Sequence, residues 1–500
     1  MATTLLDLLA SSLRRRPHAE ALVCGQRRVS YLALWNASMT VAACLRRRGL
    51  QPGDRVALLL EPSPEYVAGY YGVLAAGGMA VALNPLAKEW ELAAWLRHSG
   101  ARWLLCAGRT RQCEALAGEC PQLDMTELGL WRRADTALSR PPTTAEPDAP
   151  AAIIYTSGTT GAPKGVTLSH RNLVSNVTAV MRYLQLTPAD RVMHVLPFCY
   201  SYGNSVLHTH LAAGATVIIE PGLMYPHRLL ERMAEERATG FSGVPATYAL
   251  LLARTRLDAY PLDSLRYLTQ AGGPMPLRDI LLVREQLPWA AFYVMYGQTE
   301  ATARLSYLPP ALLLEKPGSV GVAIADTELA VCDPDGRRLP PGEEGQVCAR
   351  GPGVMLGYWQ DPEATRQVLH NGWLWTGDLG HMDEQGFLYL HGRASELIKV
   401  GAYRINPAEI EEVLLAMEGV AEVAAAGVPD PLLGQAIKVW LVPQPQARLQ
   451  AQQVLAYCRR HLPIYKLPRQ VVFTDALPRT ASGKLRRHAL MEAGTAGLED

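Results

Sequence analysis

Over the first 140 residues the chain alternates helical spacing of apolar positions with short unbroken apolar runs, such as Arg55 to Leu60 (RVALLL) and Trp103 to Cys106. Runs of that length between helices predict α/β units on a parallel sheet. Tyr66 to Ala87 carries no charge for 22 residues. Gly69, Gly72, Gly77, Gly78, Asn84 and Pro85 interrupt it, so the expectation is a buried helix turning into a buried strand, not a membrane span. The proline-rich stretch SRPPTTAEPDAP, Ser139 to Pro150, reads as a loop delivering the chain to the buried strand AAIIY. Strands are expected at Arg191 to Leu196 and Thr216 to Glu220, and a helix at Tyr225 to Ala238. From about Thr327 the texture becomes short strands and Gly/Pro turns (DPDGRRLPPGEEGQVCARG), a β-rich subdomain. After Gly392 come a helix (PAEIEEVLLAM), the strands VAEVAAAGV and AIKVWLVP, and a helix at Gln450 to Leu462, which together make a compact α+β module.

At 500 residues the chain exceeds the roughly 250–300 residues at which single cores stop growing, so at least two domains are required. Lys+Arg is 48 against Asp+Glu 47, a net charge of +1, which gives no global field for nucleic acid or an anionic membrane. Any electrostatics must act locally. With 49% hydrophobic and 19% charged residues the composition is that of a soluble globular protein. The nine cysteines are scattered, without a C-x-x-C pair or secretory leader, which points to reduced thiols in the cytoplasm. Cys106, Cys113 and Cys120 fall seven apart but lack a nearby histidine to complete a zinc set.

The strongest chemical signal is YTSGTTGAPKGV, immediately after AAIIY. Gly158, Gly161 and Gly165, the hydroxyls of Thr156, Ser157, Thr159 and Thr160, and Lys164 form a loop suited to wrapping a polyphosphate with backbone N–H groups and side chains. Pro163 stands where a Walker A loop needs glycine, so this is another kind of cradle. No G-x-S-x-G or HExxH is present, which argues against a serine hydrolase or zinc protease. LDSL at Leu262 to Leu265 resembles a phosphopantetheine-bearing serine, but its mid-domain position reads as a helix-start turn.

Together with YGQTE (Tyr296 to Glu300), WLWTGDLG (Trp373 to Gly380), GRASELIKVGAYRINPAEIE (Gly392 to Glu411) and PRTASGK (Pro478 to Lys484), this loop resembles the adenylate-forming superfamily of acyl-CoA synthetases, carrier-protein adenylation domains and luciferases. The motifs occur in the family's order across nearly the whole chain. The resemblance implies a large N-terminal domain (1–391) of α/β subdomains plus the β-rich subdomain, a hinge (392–396) centred on Ser395, and a small mobile α+β lid (397–500). It also implies roles: Tyr296 and Gly297 beside the adenine, with Gly272 and Gly273 in a loop along the nucleotide; Thr299 on the α-phosphate; Glu300 on Mg²⁺; Asp378 on the ribose; Arg393 on the nucleotide; and Lys484 as the catalytic cation. Serine at 395 replaces the family's usual Asp or Lys, and Ala402 replaces a glycine of the pantetheine channel.

The activity implied is ATP-dependent activation of a carboxylic acid to an acyl-adenylate, followed by transfer to a pantetheine thiol of CoA or of an acyl carrier protein supplied in trans. Amino-acid adenylation, a luciferase-like fate of the adenylate, and a non-catalytic nucleotide-binding partner are the alternatives. Pocket candidates are Tyr200, Ser201, Tyr202, Gly203, Asn204, Phe241, Ser242, Gly243 and Val244, with Tyr200 replacing a histidine common in relatives. Gly203 occupies the position where amino-acid-activating relatives carry an amine-binding aspartate, so a plain carboxylic acid is expected, and the mixed aromatic and polar set points to a small or medium acyl or aryl acid.

Overall fold

The computed structural model describes residues 3–108, 110–131, 145–156, 164–220, 222, 225–393, 396–400, 403–430, 433–479, 485–487 and 489–490. By mutual packing the chain separates into two compact units, residues 1–329 with 349–374, and residues 330–348 with 375–500. The second unit thus takes in part of the β-rich region, starting earlier than a boundary drawn at 392.

The first unit is a doubly layered α/β body with two sheets. In one, Met79–Ala82, Arg55–Leu59, Trp103–Cys106 and Gln122–Asp124 run parallel, and Pro150–Thr156 joins parallel to Met79–Ala82. In the other, Glu20–Cys24, Thr216–Ile219, Arg191–His194, Gly240–Gly243, Tyr267–Gln270 and Ala291–Tyr296 lie side by side in parallel. The uncharged 66–87 stretch is a helix, Pro64–Ala75, capped by Ser63, and a fully buried strand, Met79–Ala82. Its glycines serve packing: a Cβ at Gly72 would come within 2.6 Å of Val41 Cβ on the adjacent Tyr31–Arg47 helix. Among the described residues no helix is long and apolar enough to cross a membrane.

LDSL does not start a helix. Residues 263–264 form a turn, Ser264 Oγ donates to Ala238 O at 3.0 Å, and the chain passes into the strand Tyr267–Gln270. Leu262 and Leu265 are both buried, so the segment is anchored by its apolar residues as it enters the sheet.

The second unit holds a sheet in which Val420–Asp430 pairs antiparallel with Gly434–Pro443, flanked by Ile398–Val400, Tyr403–Ile405 and Gln470–Phe473. The helices Pro407–Leu415 and Ala451–His461 supply Ile410, Leu414, Val454 and Cys458 to its core.

Candidate functional site

In the first unit, Pro150–Thr156 and Lys164–Ser169 form an antiparallel pair with Tyr155 opposite Gly165 and Thr156 opposite Lys164. The expected phosphate loop therefore closes a hairpin whose mouth is Thr156 and Lys164. Ser157, Gly158, Thr159, Thr160 and Gly161 lie outside the described residues. The short strand Gly357–Tyr358 pairs with the far side of Lys164–Ser169. Lys164 Nζ stands 4.9 Å from the centre of the Tyr358 ring, and Tyr358 Oη donates to Glu300 Oε1 at 2.9 Å. Met355 N also donates to Glu300 O, so one segment holds the backbone and side chain of Glu300. An aromatic ring thus links the lysine of the cradle to the carboxylate expected to hold the metal. Tyr358 was not singled out from sequence, although a tyrosine directly before Trp359 in GYW is a visible aromatic pair in a Gly-rich stretch.

The YGQTE segment turns tightly after Ala291–Tyr296. A Cβ at Gly297 would lie 2.0 Å from Ala303 O, so no other residue fits this backbone. Thr302, two residues past Glu300, adopts φ +69°, a strained conformation for a β-branched residue, and its Oγ1 donates to Gly353 O at 2.7 Å. Thr299 Oγ1 donates to Ser201 Oγ at 3.1 Å, which brings the expected α-phosphate contact against the N-terminal turn of the helix Ser201–Ala213. Gly272 has φ +91°, and its missing side chain would meet Val244 Cγ1 at 3.3 Å; Gly273 O accepts from Gln270 Nε2 at 2.6 Å. A carboxylate such as Glu300, with one oxygen bonded to a hydroxyl, suits Mg²⁺.

The pocket candidates divide. Tyr202 donates to Thr269 O at 3.0 Å, and Thr269 Oγ1 lies 2.8 Å from both Tyr202 Oη and Ser242 Oγ. Tyr200 Oη accepts from Asn84 Nδ2 at 3.2 Å, and burial pushes its phenol pKa up. Tyr200, Tyr202 and Val244 are partly buried against one apolar cluster. Phe241 belongs elsewhere. The alternation of the strand Gly240–Gly243 turns it away from Ser242 into an edge-on contact with Tyr248, 1% exposed.

Gly203 also needs a correction. A Cβ there would stand 2.3 Å from Pro197 O, so backbone packing alone demands glycine, and the missing aspartate carries no information about an amine. His194 Nε2, 2.9 Å from Gly203 O, adds to that close approach. Beside it, Asn176, Ser201, Asn204, Ser205, His208 and Thr302 line a small cavity between the helices His170–Tyr183 and Ser201–Ala213. His208 is fully buried and its pKa is driven down to about 3 by desolvation, so it is a neutral imidazole.

Arg304 was likewise not singled out, although a charged residue between Ala303 and Leu305, eight positions after Tyr296, breaks the apolar pattern. It is 3% exposed, with its guanidinium carbon 4.1 Å from the centre of the Tyr202 ring.

The second unit carries its own share. Asp378 faces Arg393 across the ladder of Trp373–Met382 and Leu388–Arg393, and Arg393 Nε lies 3.0 Å from Asp378 Oδ1. Thr376 Oγ1 accepts from Asp378 N and donates to Val347 O, which fixes the turn through Gly377 at φ +75°. Ser395, Ala402 and Lys484 lie outside the described residues, but the ends of the lysine segment are pinned. Arg479 and Leu485 bridge antiparallel, Arg479 pairs with Glu422 at 2.6 Å, and Arg487 reaches Glu396 at 3.0 Å, Glu411, and Ala425 O at 2.9 Å. Arg487 joins Tyr358 and Arg304 among the residues that the sequence alone did not mark.

The family model of the AMP-binding enzyme matches residues 9–359, and that of the AMP-binding enzyme C-terminal domain matches residues 409–484. A feruloyl-CoA synthase of an Amycolatopsis species is 36% identical, covering 94% of this chain and 95% of its own. A 2-succinylbenzoate–CoA ligase of Bacillus velezensis is 33% identical over 98% of this chain and 99% of its own. The solved structure of o-succinylbenzoate CoA synthetase from Bacillus subtilis with its acyl-adenylate intermediate superposes with a TM-score of 0.87 at 31% identity, covering 97% of each chain. The chain belongs to the AMP-binding enzyme family, with that family's C-terminal domain.

Proposed function

We propose that the protein is an AMP-forming acid–thiol ligase, which joins a carboxylic acid to CoA through an acyl-adenylate. The observation that carries this reading is the continuous arrangement Thr156–Lys164, Tyr358, Glu300, Thr299 and Ser201, which sets a phosphate cradle, a metal-type carboxylate and an acyl-side helix terminus next to one another.

In the first half-reaction the acid's carboxylate oxygen attacks the α-phosphorus of ATP, the bond from that phosphorus to the α,β-bridging oxygen breaks, and pyrophosphate leaves with that oxygen. Thr156, Lys164 and the loop between them hold the polyphosphate, while Thr299 donates to the α-phosphate. Glu300 would hold Mg²⁺, which supplies charge neutralisation between phosphates. Tyr296, Gly297, Gly272 and Gly273 form the adenine side. Asp378 takes the ribose hydroxyls, and Arg393, paired with it across the strands, holds its carboxylate in place. Lys484 places an ammonium between the two approaching anions, where a charge about 4 Å away contributes roughly 4 kcal/mol at an effective dielectric near 20. In the second half-reaction a thiol attacks the acyl carbon, forming the thioester and releasing AMP. Ser395 acts as the hinge that exchanges Lys484 for the thiol channel.

The named relatives are CoA ligases, which supports CoA as acceptor over a carrier protein. A cytoplasmic location fits nine free thiols. ATP–pyrophosphate exchange across a panel of carboxylic acids, followed by mass spectrometry of products with CoA and with carrier proteins, tests the reading. Exchange with some acid and an acyl-CoA product is expected; ATP binding without exchange for any acid would sink it.

A further inference from the structure

Buried charge in the first unit is compensated wherever it is a carboxylate: Asp190 lies against Arg266, and Glu236 against Arg28, Arg191 and Arg232. Arg304 is different. It is as deeply buried, its Nε has no hydrogen-bond partner, and among the described residues no carboxylate forms an ion pair with it. What faces it is neutral: the Tyr202 ring at 4.1 Å, and the Tyr183 hydroxyl, whose ionisation it favours against burial. A ring face compensates only part of the desolvation of a guanidinium.

Its position narrows what the missing anion is. Leu305 N donates to Tyr296 O, and the Gly297 turn presses on Ala303 O and Arg304 Cα, so the arginine is rooted in the YGQTE turn. Tyr202, on which it stacks, adjoins Ser201, which accepts from Thr299. The ring on which the guanidinium stacks thus belongs to the hydroxyl cluster of Tyr202, Thr269 and Ser242, among the residues expected on the acyl side. A planar guanidinium whose Nε has no partner can turn that donor to a carboxylate.

We propose that Arg304 receives a second anionic group of the substrate, so that the acid activated is a dicarboxylate whose distal carboxylate meets the guanidinium while the other is adenylated. The inference rests on the adenylate-forming reading and specifies its substrate. Bound this way, the distal carboxylate supplies the counter-charge that the chain itself withholds, and a monocarboxylate leaves the guanidinium buried and uncompensated.

The test is ATP–pyrophosphate exchange by the full-length protein with magnesium, using matched acids: pentanedioate against pentanoate, hexanedioate against hexanoate, and benzene-1,4-dicarboxylate against benzoate. At least one diacid should exceed its matched monoacid by about tenfold or more in kcat/KM, the size expected when a buried charge loses its partner. Arg304→Met should collapse that ratio, and Arg304→Lys should retain part of it. The wild-type ratio decides the matter even where Arg304→Met folds poorly. Monoacids equal to or better than every diacid overturn the inference while leaving adenylation standing. A loss in Arg304→Met that is equal for both members of a pair and accompanied by a raised KM for ATP also overturns it, and assigns the arginine to the nucleotide phosphate. Absence of exchange with every acid overturns adenylation and the inference with it.

Discussion

Glu300 and Asp378, the two carboxylates proposed to serve the nucleotide, are held in different ways. Glu300, in the first unit, accepts from a tyrosine hydroxyl in a setting shaped by glycine-sized gaps at Gly297 and Gly203 and by neutral polar groups on the Ser201–Ala213 helix. Asp378, in the second, is set by a guanidinium across a strand pair, and the segment ending at Lys484 is pinned by Arg479 and Arg487 against Glu422, Glu396 and Glu411. Neutral hydrogen bonds and close packing resist salt but tolerate no added volume. Partly exposed ion pairs tolerate shape change and weaken as ionic strength rises.

The largest expected effect falls in the second unit. Lys484→Ala should lower adenylation about a thousandfold, the rate equivalent of roughly 4 kcal/mol, while thioester formation from supplied acyl-adenylate is spared. Equal loss in both half-reactions, followed by rapid quench, would remove the lysine from its role. Next is Arg487→Met, which strands Glu411 and Glu396 and should destabilise the second unit by about 3 kcal/mol. Amide exchange should rise around 396–430 and stay unchanged in the first unit; uniform protection across both would erase the contrast between them.

In the first unit, Tyr358→Phe removes one hydrogen bond to a charged group and should raise KM for Mg·ATP about tenfold, with little dependence on salt. A strong salt dependence of the change would mean that the loss runs through the Lys164 charge beside the ring and not through the hydrogen bond. The last effect concerns pH and is read in stability, not in catalysis. The buried His208 has a folded-state pKa near 3 against an ordinary 6.5, so the unfolded chain takes up its proton first as pH falls. Its contribution is complete above pH 6.5 and is lost progressively down to about pH 3, at roughly 1.4 kcal/mol per pH unit. His208→Gln should flatten the fall in melting stability between pH 6.5 and 5 by that slope, and an unchanged slope would contradict the assignment.

Much of the frame was legible in the chain because it depends on local pattern. Trp103 to Cys106 is a strand with the bounds expected, and the helix expected from Tyr225 to Ala238 runs Pro226–Glu235, its start set by proline at the first helical position. The uncharged 66–87 stretch likewise resolved into helix and strand because its glycines and proline mark the break. What stayed hidden depends on partners distant in sequence. Tyr358 matters through Glu300, Arg304 through Tyr202, and Arg487 through Glu396 and Glu411, and no spacing rule joins those positions. Gly203 shows the converse hazard: a glycine interpreted as an absent functional group is required by a carbonyl 2.3 Å from where its Cβ would be. Phe241 and Ser242 teach the same lesson at the scale of one residue, since neighbours in a strand face opposite sides.

The pairing of Thr156 with Lys164 also makes the hairpin a ruler. Because successive residues of a strand point to opposite faces, deleting a single residue anywhere between Lys164 and Ser169 would throw the lysine out of phase with Tyr358 while leaving the loop's own composition intact. The distance counted from the strand to the lysine is therefore a quantity that engineering of the hairpin must leave untouched.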